Sequence, residues 1–158
     1  IADLARLTLE RSWHVRFIEL MPLNDCSHGF QGGYVPSYEV RERVAAELGA
    51  LEPVAAWSGA GPASYYRLRG ALGLLGFISP ISEHFCGCCN RLRLMADGGL
   101  RPCLLSDSEI DLRSVVRGGA SLAEIQDVLR QAILCKPGGH HLDEKLAPHG
   151  RVMSQIGG

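Results

Sequence analysis

The spacing Cys86-x2-Cys89-x13-Cys103 is the strongest constraint this sequence places on its own fold. Two thiols separated by two residues converge only across a tight turn, and a third that far along must return on a second pass of the chain. The return path lies between them. Arg91 to Ala96 alternates like a strand, Asp97-Gly98-Gly99 is a turn signal, and Leu100 to Leu104 reads as the returning strand. A turn near Asp97-Gly98 sets Cys103 beside Leu92 or Arg93, about three residues and ~10 Å of strand from Cys89. The loop from Cys86 to Cys89 must then fold back over the hairpin.

Six cysteines are present, and four of them, Cys86, Cys88, Cys89 and Cys103, are close in sequence. With no secretory signal, a disulfide framework is not expected. Three thiolates leave several readings open. Zinc in a closed site needs four ligands, and His84 or Cys88 could complete the set. An iron–sulfur cluster can keep one iron open for a ligand that is not protein. Free thiols are the third reading. Cys86-Gly-Cys-Cys89 also offers a C-x-C pairing through Cys88, while Cys26 and Cys135 stand alone as ordinary thiols.

Arg91 and Arg93 are two apart on the expected strand, so their side chains leave the same face beside the cysteines. Two guanidinium groups held together repel unless an anion lies between them, and a phosphorylated ligand would satisfy both. No other nucleotide signature accompanies them. Gly70-x-x-Gly73-x-x-Gly76 is not a dinucleotide fingerprint, and neither Lys136 nor Lys145 closes a phosphate loop. His140-His141 reads as part of a polar tail.

Residues 3–11 read as a helix and His14 to Leu20 as a buried strand; a Gly-rich loop with Gly29, Gly32 and Gly33 follows. A helix then runs from Pro36 or Ser37 through Val40, Val44 and Leu48 to Gly49. That rhythm suits the last units of a β/α barrel. Leu51 to Pro62 reads as a linker, Tyr65–Leu68 and Leu74–Ile78 as strands, and Ser106–Glu109 as the start of a helix to Arg117. Ser121-Leu-Ala-Glu124 is a capping box, with Leu122, Ile125, Val128, Leu129 and Ala132 as the apolar face of the next helix. The expected fold is α/β, an incomplete (β/α) barrel at 1–50, a cysteine-bearing α+β region at 51–136, and a tail at 137–158. Because the first residues already follow a helical period, the chain reads as a fragment.

Composition excludes several functions. Lys+Arg 16 against Asp+Glu 17 leaves a net charge of -1, and aromatic residues are 6%, too few for a base-stacking platform. No apolar run approaches the ~20 residues of a membrane span. Neither nucleic acid nor membrane is an expected partner.

Arg16-Phe-Ile-Glu-Leu-Met-Pro22, Gly61-Pro-Ala63, Gly76-Phe-Ile-Ser-Pro80, Cys86-x-x-Cys-Asn-Arg-Leu-Arg93, Ala96-Asp-Gly98, Leu100-Arg-Pro-Cys103 and Gly157-Gly158 occur in this order. Over nearly the whole chain they resemble the C-terminal half of the GTP 3',8-cyclase family, the MoaA-type radical S-adenosylmethionine enzymes of molybdenum-cofactor biosynthesis. The resemblance implies a 4Fe-4S cluster on Cys86, Cys89 and Cys103 whose open iron receives guanine. It implies GTP contacts at Arg91, Leu92, Arg93 and Arg16, S-adenosylmethionine against Met21, and a Gly157-Gly158 tail that enters the active site. It also implies a cytoplasmic enzyme, homodimeric when full length. A second 4Fe-4S cluster and most of the S-adenosylmethionine site would belong to an N-terminal half. No trio of these cysteines has the C-x3-C-x2-C spacing that generates the radical, so the chain alone is expected to be inactive and to carry no catalytic residue of its own. The alternative from another class is a zinc-stabilised module that binds nucleic acid or protein.

Overall fold

The computed structural model describes residues 1–23, 33–55, 61–140, 142 and 150–156. Cys26, His141, Gly157 and Gly158 lie outside the described residues. The architecture is mixed α/β, and the chain divides into two compact units, Ile1–Met21 with Gly29–Phe85, and Pro22–His28 with Cys86–Gly158. Among the described residues no helix is long and apolar enough to cross a membrane.

The first unit is a four-stranded sheet in the order β1-β4-β3-β2, formed by β1 (His14–Ile18), β2 (Leu51–Val54), β3 (Ser64–Leu68) and β4 (Leu74–Ile78). β1 and β4 run parallel, and the other pairs are antiparallel. Leu74, Leu75 and Phe77 of the interior strand β4 are all buried, as expected for a strand with neighbours on both sides and a covered face. Helices α1 (Ala2–Glu10) and α2 (Ser37–Leu48) contribute Ala5, Val40 and Val44 to a core completed by Leu68, Ala71, Leu75 and Phe77. Val40 and Val44 are one helical turn apart, so α2 presents one apolar stripe. Each large side chain buried there contributes about 1.5–3 kcal/mol.

Gly73 sets the parallel register. A Cβ at this position would lie 2.0 Å from the Trp13 carbonyl oxygen and 2.8 Å from that of Arg11, so only glycine lets β4 begin against the start of β1. Its N–H donates to Thr8 O, and the next, from Leu74, donates to Trp13 O, which brings His14 opposite Leu74.

Glu19, directly after β1, is buried and holds three segments together. Pro36 precedes α2 and has no side chain to cap it. Glu19 accepts from the Ser37 N–H at 2.8 Å in its place, and from the Ile81 and Ser82 N–H groups at 3.0 Å each. The Ser82 hydroxyl also donates to it. Burial pushes the carboxyl's pKa up, but the bonds from Ser82, Ser37 and Ile81 outweigh it and leave the value below the ordinary range.

In the second unit β5 (Arg93–Leu94), β6 (Gly99–Arg101) and β7 (Ile110–Asp111) form an antiparallel sheet, followed by α3 (Leu112–Arg117) and α4 (Leu122–Leu134). The capping box at Ser121 and Glu124 is formed. Several expectations need correction. Leu51–Val54 is a strand instead of linker, α3 is capped by Asp111 instead of starting near Ser106, and Leu122 is 71% exposed instead of lining the apolar face. The hairpin strands are also shorter than their sequence pattern suggests.

Candidate metal and anion site

The two cysteine-bearing segments flank the β5–β6 hairpin. Residues Cys86–Cys88 form one turn of 3-10 helix, closed by the Cys89 N–H donating to Cys86 O at 3.1 Å. Cys86 and Cys89 are part-buried, whereas Cys88 between them is exposed. Cys103, also part-buried, follows β6 and the buried Pro102. Cys135 is exposed, and the exposed His84 belongs to the first unit. Among the described residues, no three Cys, His, Asp or Glu side chains converge on a point where one metal ion would be held.

The hairpin register pairs Arg93 with Arg101 and Leu94 with Leu100. Carried outward, it would set Cys103 level with Arg91, one to two residues from the place expected, and the ladder ends before either is reached. A three-residue loop causes the difference. Met95 N–H donates to Gly99 O, so Ala96, Asp97 and Gly98 form the turn, and Gly98 takes the left-handed conformation at φ +87°.

Cationic groups gather about the cysteines. Burial raises the pKa of the Cys89 thiol, but hydrogen bonds from the backbone and side chain of Arg91 and the charges of Lys136 and Arg91 bring it below the ordinary thiol value. Arg93 is half-buried, and its guanidinium is pushed down first by burial and then by the charge of Arg91, with Arg101 adding to this. The Cys103 and Cys89 sulfurs act the other way, so Arg93 is within electrostatic reach of both. Arginine stays charged regardless. Leu92, between the two arginines, is part-buried.

Below them is an ion network. Arg101 is only 1% exposed; it pairs with Glu109 at 2.7 Å and more loosely with Asp107 at 3.7 Å. Glu109 also accepts from Arg151, whose guanidinium reaches Asp97 at 2.7 Å.

In the first unit Arg16, Gly76 and Tyr65 form one row across β1, β4 and β3. Arg16 donates to the Tyr65 hydroxyl at 2.9 Å and lies over its ring at 5.9 Å. A Cβ on Gly76 would sit 3.1 Å from the Arg16 stem and 3.2 Å from the Tyr65 ring, so glycine makes room for the pair. Met21 is part-exposed, three residues past β1.

Thus Cys86 and Cys89 share one turn, and Cys89, Cys103, Arg91 and Arg93 form one electrostatic group. Sequence reasoning missed Lys136, Tyr65 and Glu19. Only Lys136 carried any signal, a lysine just past a helix end, and that pattern ordinarily reads as a cap.

The family described as Molybdenum Cofactor Synthesis C matches residues 13–142. Curated proteins named GTP 3',8-cyclase are similar along the whole chain. That of Pelotomaculum thermopropionicum is 51% identical over 158 residues, 100% of this chain and 48% of its own length. That of Heliobacterium modesticaldum is 50% identical, covering 100% of this chain and 49% of its own length. For Gloeobacter violaceus the identity is 44%, with coverage of 100% and 49%. The chain therefore spans about half the length of the curated relatives it matches.

Proposed function

The chain belongs to the Molybdenum Cofactor Synthesis C family, and from that membership we propose that it is the substrate-binding C-terminal half of a GTP 3',8-cyclase. The full-length protein would convert GTP to (8S)-3',8-cyclo-7,8-dihydroguanosine 5'-triphosphate by S-adenosylmethionine radical chemistry, in the cytoplasm and as a homodimer. Residues 1–50 are read as the end of its β/α barrel, 51–136 as the cluster- and GTP-binding region and 137–158 as the tail.

Cys86, Cys89 and Cys103 would hold a 4Fe-4S cluster. Such a cluster, when bound, supplies an iron with an open position for the guanine base. The donor set supports this. Each thiolate of a cluster sits on its own iron, so three part-buried thiols suit it without converging on one ion as zinc demands. Cationic neighbours favour the thiolate form that ligation requires. Arg91, Leu92 and Arg93 bind GTP, with the two guanidinium groups taking phosphate oxygens. Arg16, steadied by Tyr65, is a further triphosphate contact, and Met21 is assigned to S-adenosylmethionine. Gly157 and Gly158 would enter the active site. The second cluster and the rest of the S-adenosylmethionine site are assigned to residues outside these 158.

One observation carries the reading. Arg93 lies within electrostatic reach of both Cys89 and Cys103, and among the described residues it makes no ion pair with a carboxylate. The test is anaerobic reconstitution followed by iron, sulfide and zinc analysis with and without GTP. About four irons and four sulfides per chain, with a spectrum that shifts on adding GTP, is the expected result. One tightly held zinc and no response to GTP would replace it with a structural module.

A further inference from the structure

We infer that Lys136 is a positioning residue, an ammonium clamp that holds the segment after Cys89 and the segment before Cys103 at the separation a shared cluster needs. The inference rests on the iron–sulfur reading above. Lys136 follows the C-terminal end of α4, and its own N–H donates to Ile133 O at 3.2 Å, which seats its backbone on the last helical turn. A lysine there ordinarily turns back to the final helix carbonyls. Lys136 Nζ instead donates to Arg91 O at 2.8 Å and to Pro102 O at 2.7 Å, carbonyls 45 and 34 residues away in sequence.

Both carbonyls lie where the β5–β6 ladder has run out. The last pair at that end is Arg93 with Arg101, so the ladder stops two residues short of Arg91 and one short of Pro102. Pro102 is buried, and its carbonyl must find a donor inside the protein. An ammonium carries three donors and no acceptor, so one lysine can satisfy both oxygens and draw the two chains together. Arg91 is two residues past Cys89, and Pro102 immediately precedes Cys103. The clamp acts on backbone oxygens and uses neither the Arg91 guanidinium nor the thiols. Groups that orient metal ligands from outside commonly cost roughly 10–100-fold in metal affinity when removed.

The test compares the native chain with Lys136→Met, which keeps the aliphatic stem, and Lys136→Arg, which restores two donors. After anaerobic reconstitution, iron release to excess chelator is followed by absorbance, and amide hydrogen exchange is measured on the iron-free chains. Lys136→Met is expected to release iron about tenfold faster or more, with most of the loss recovered in Lys136→Arg. In the iron-free Lys136→Met chain, exchange is expected to quicken at residues 91–104 while the body of α4 stays protected, a local pattern that general destabilisation would not give. If Lys136→Met does not fold, Lys136→Gln, which reaches one carbonyl but not both, replaces it with the same expected order. Native-like iron release in the folded variant would overturn the clamp and leave the cluster reading standing. A native chain that takes up no iron would overturn the cluster reading and the positioning role with it.

Discussion

Arg93 and Arg101 stand directly opposite one another in the β5–β6 ladder, and among the described residues only Arg101 has carboxylate partners. Like charges facing across neighbouring strands destabilise the pair. Glu109 and Asp107 offset the charge of the buried Arg101. Arg93 has no carboxylate partner among the described residues; the Cys103 and Cys89 sulfurs act in its favour, while Arg91 adds a further positive charge. An anion bound beside the thiols assigned to the cluster would reduce this repulsion.

Arg91→Ala and Arg93→Ala, each made in the full-length protein, should weaken GTP binding without loss of iron. A charge-assisted hydrogen bond contributes about 1.5–3 kcal/mol, so each substitution should raise Kd on the order of 10- to 100-fold. Equilibrium titration with GTP, alongside iron analysis, checks this. Unchanged affinity in both variants would remove these arginines from the substrate site.

Glu109→Gln should destabilise the second unit through Arg101. Removing one partner of a buried ion pair leaves an uncompensated charge. Asp107 remains at 3.7 Å, so a cost of about 2–3 kcal/mol is expected, somewhat under the usual loss. The Arg151 pairs face water and add little. Urea unfolding of the iron-free chain would show the midpoint fall; a shift within error of zero would mean that Arg101 is compensated from elsewhere.

The legible parts of the fold were those with a period or a local signal. α1, α2, β3, β4 and the capping box of α4 lie within a residue or two of their expected places, since each is defined by side chains close in sequence. β2 was hidden by Pro53, which ordinarily argues against a strand, but β2 is the edge strand and an edge tolerates the missing N–H. β7 has only two residues, too few for any alternation. The hairpin register was offset because the loop holds three residues with a left-handed Gly98, a distinction that Asp97-Gly98-Gly99 leaves open. At the site, the cysteine and arginine spacings were readable in advance. The Lys136 and Glu109–Arg151 contacts were not, because they join residues more than thirty apart with no local pattern between them.

Glu19 should impose a pH dependence on the first unit. Its folded pKa is depressed, so its stabilising contribution is complete above the unfolded carboxyl value of about 4.3 and is lost as pH falls through the lower folded value. Glu19→Gln replaces an acceptor of three backbone N–H bonds with an amide that is half donor, and about 1–3 kcal/mol should be lost at pH 7. The gap between native and variant should shrink below about pH 4. A gap that stays constant down to pH 2 in urea titrations would show that the carboxylate charge contributes nothing.

The four neighbouring cysteines should separate cleanly by iron content. Cys88 is exposed at the middle of the turn, whereas Cys86, Cys89 and Cys103 are part-buried. A ligand has to turn towards the cationic groups of Arg91, Arg93 and Lys136, and Cys88 is the exposed one of the four. Cys88→Ser should therefore reconstitute with native iron and sulfide content and keep the spectral response to GTP. Cys86→Ser, Cys89→Ser and Cys103→Ser should each lose most of their iron, because a hydroxyl is a poor replacement for a thiolate on iron. Far-UV circular dichroism would separate loss of ligation from loss of fold. Full iron in Cys86→Ser together with loss in Cys88→Ser would put Cys88 in place of Cys86 beside Cys89 and Cys103, and would require the turn at Cys86–Cys88 to rearrange on cluster binding.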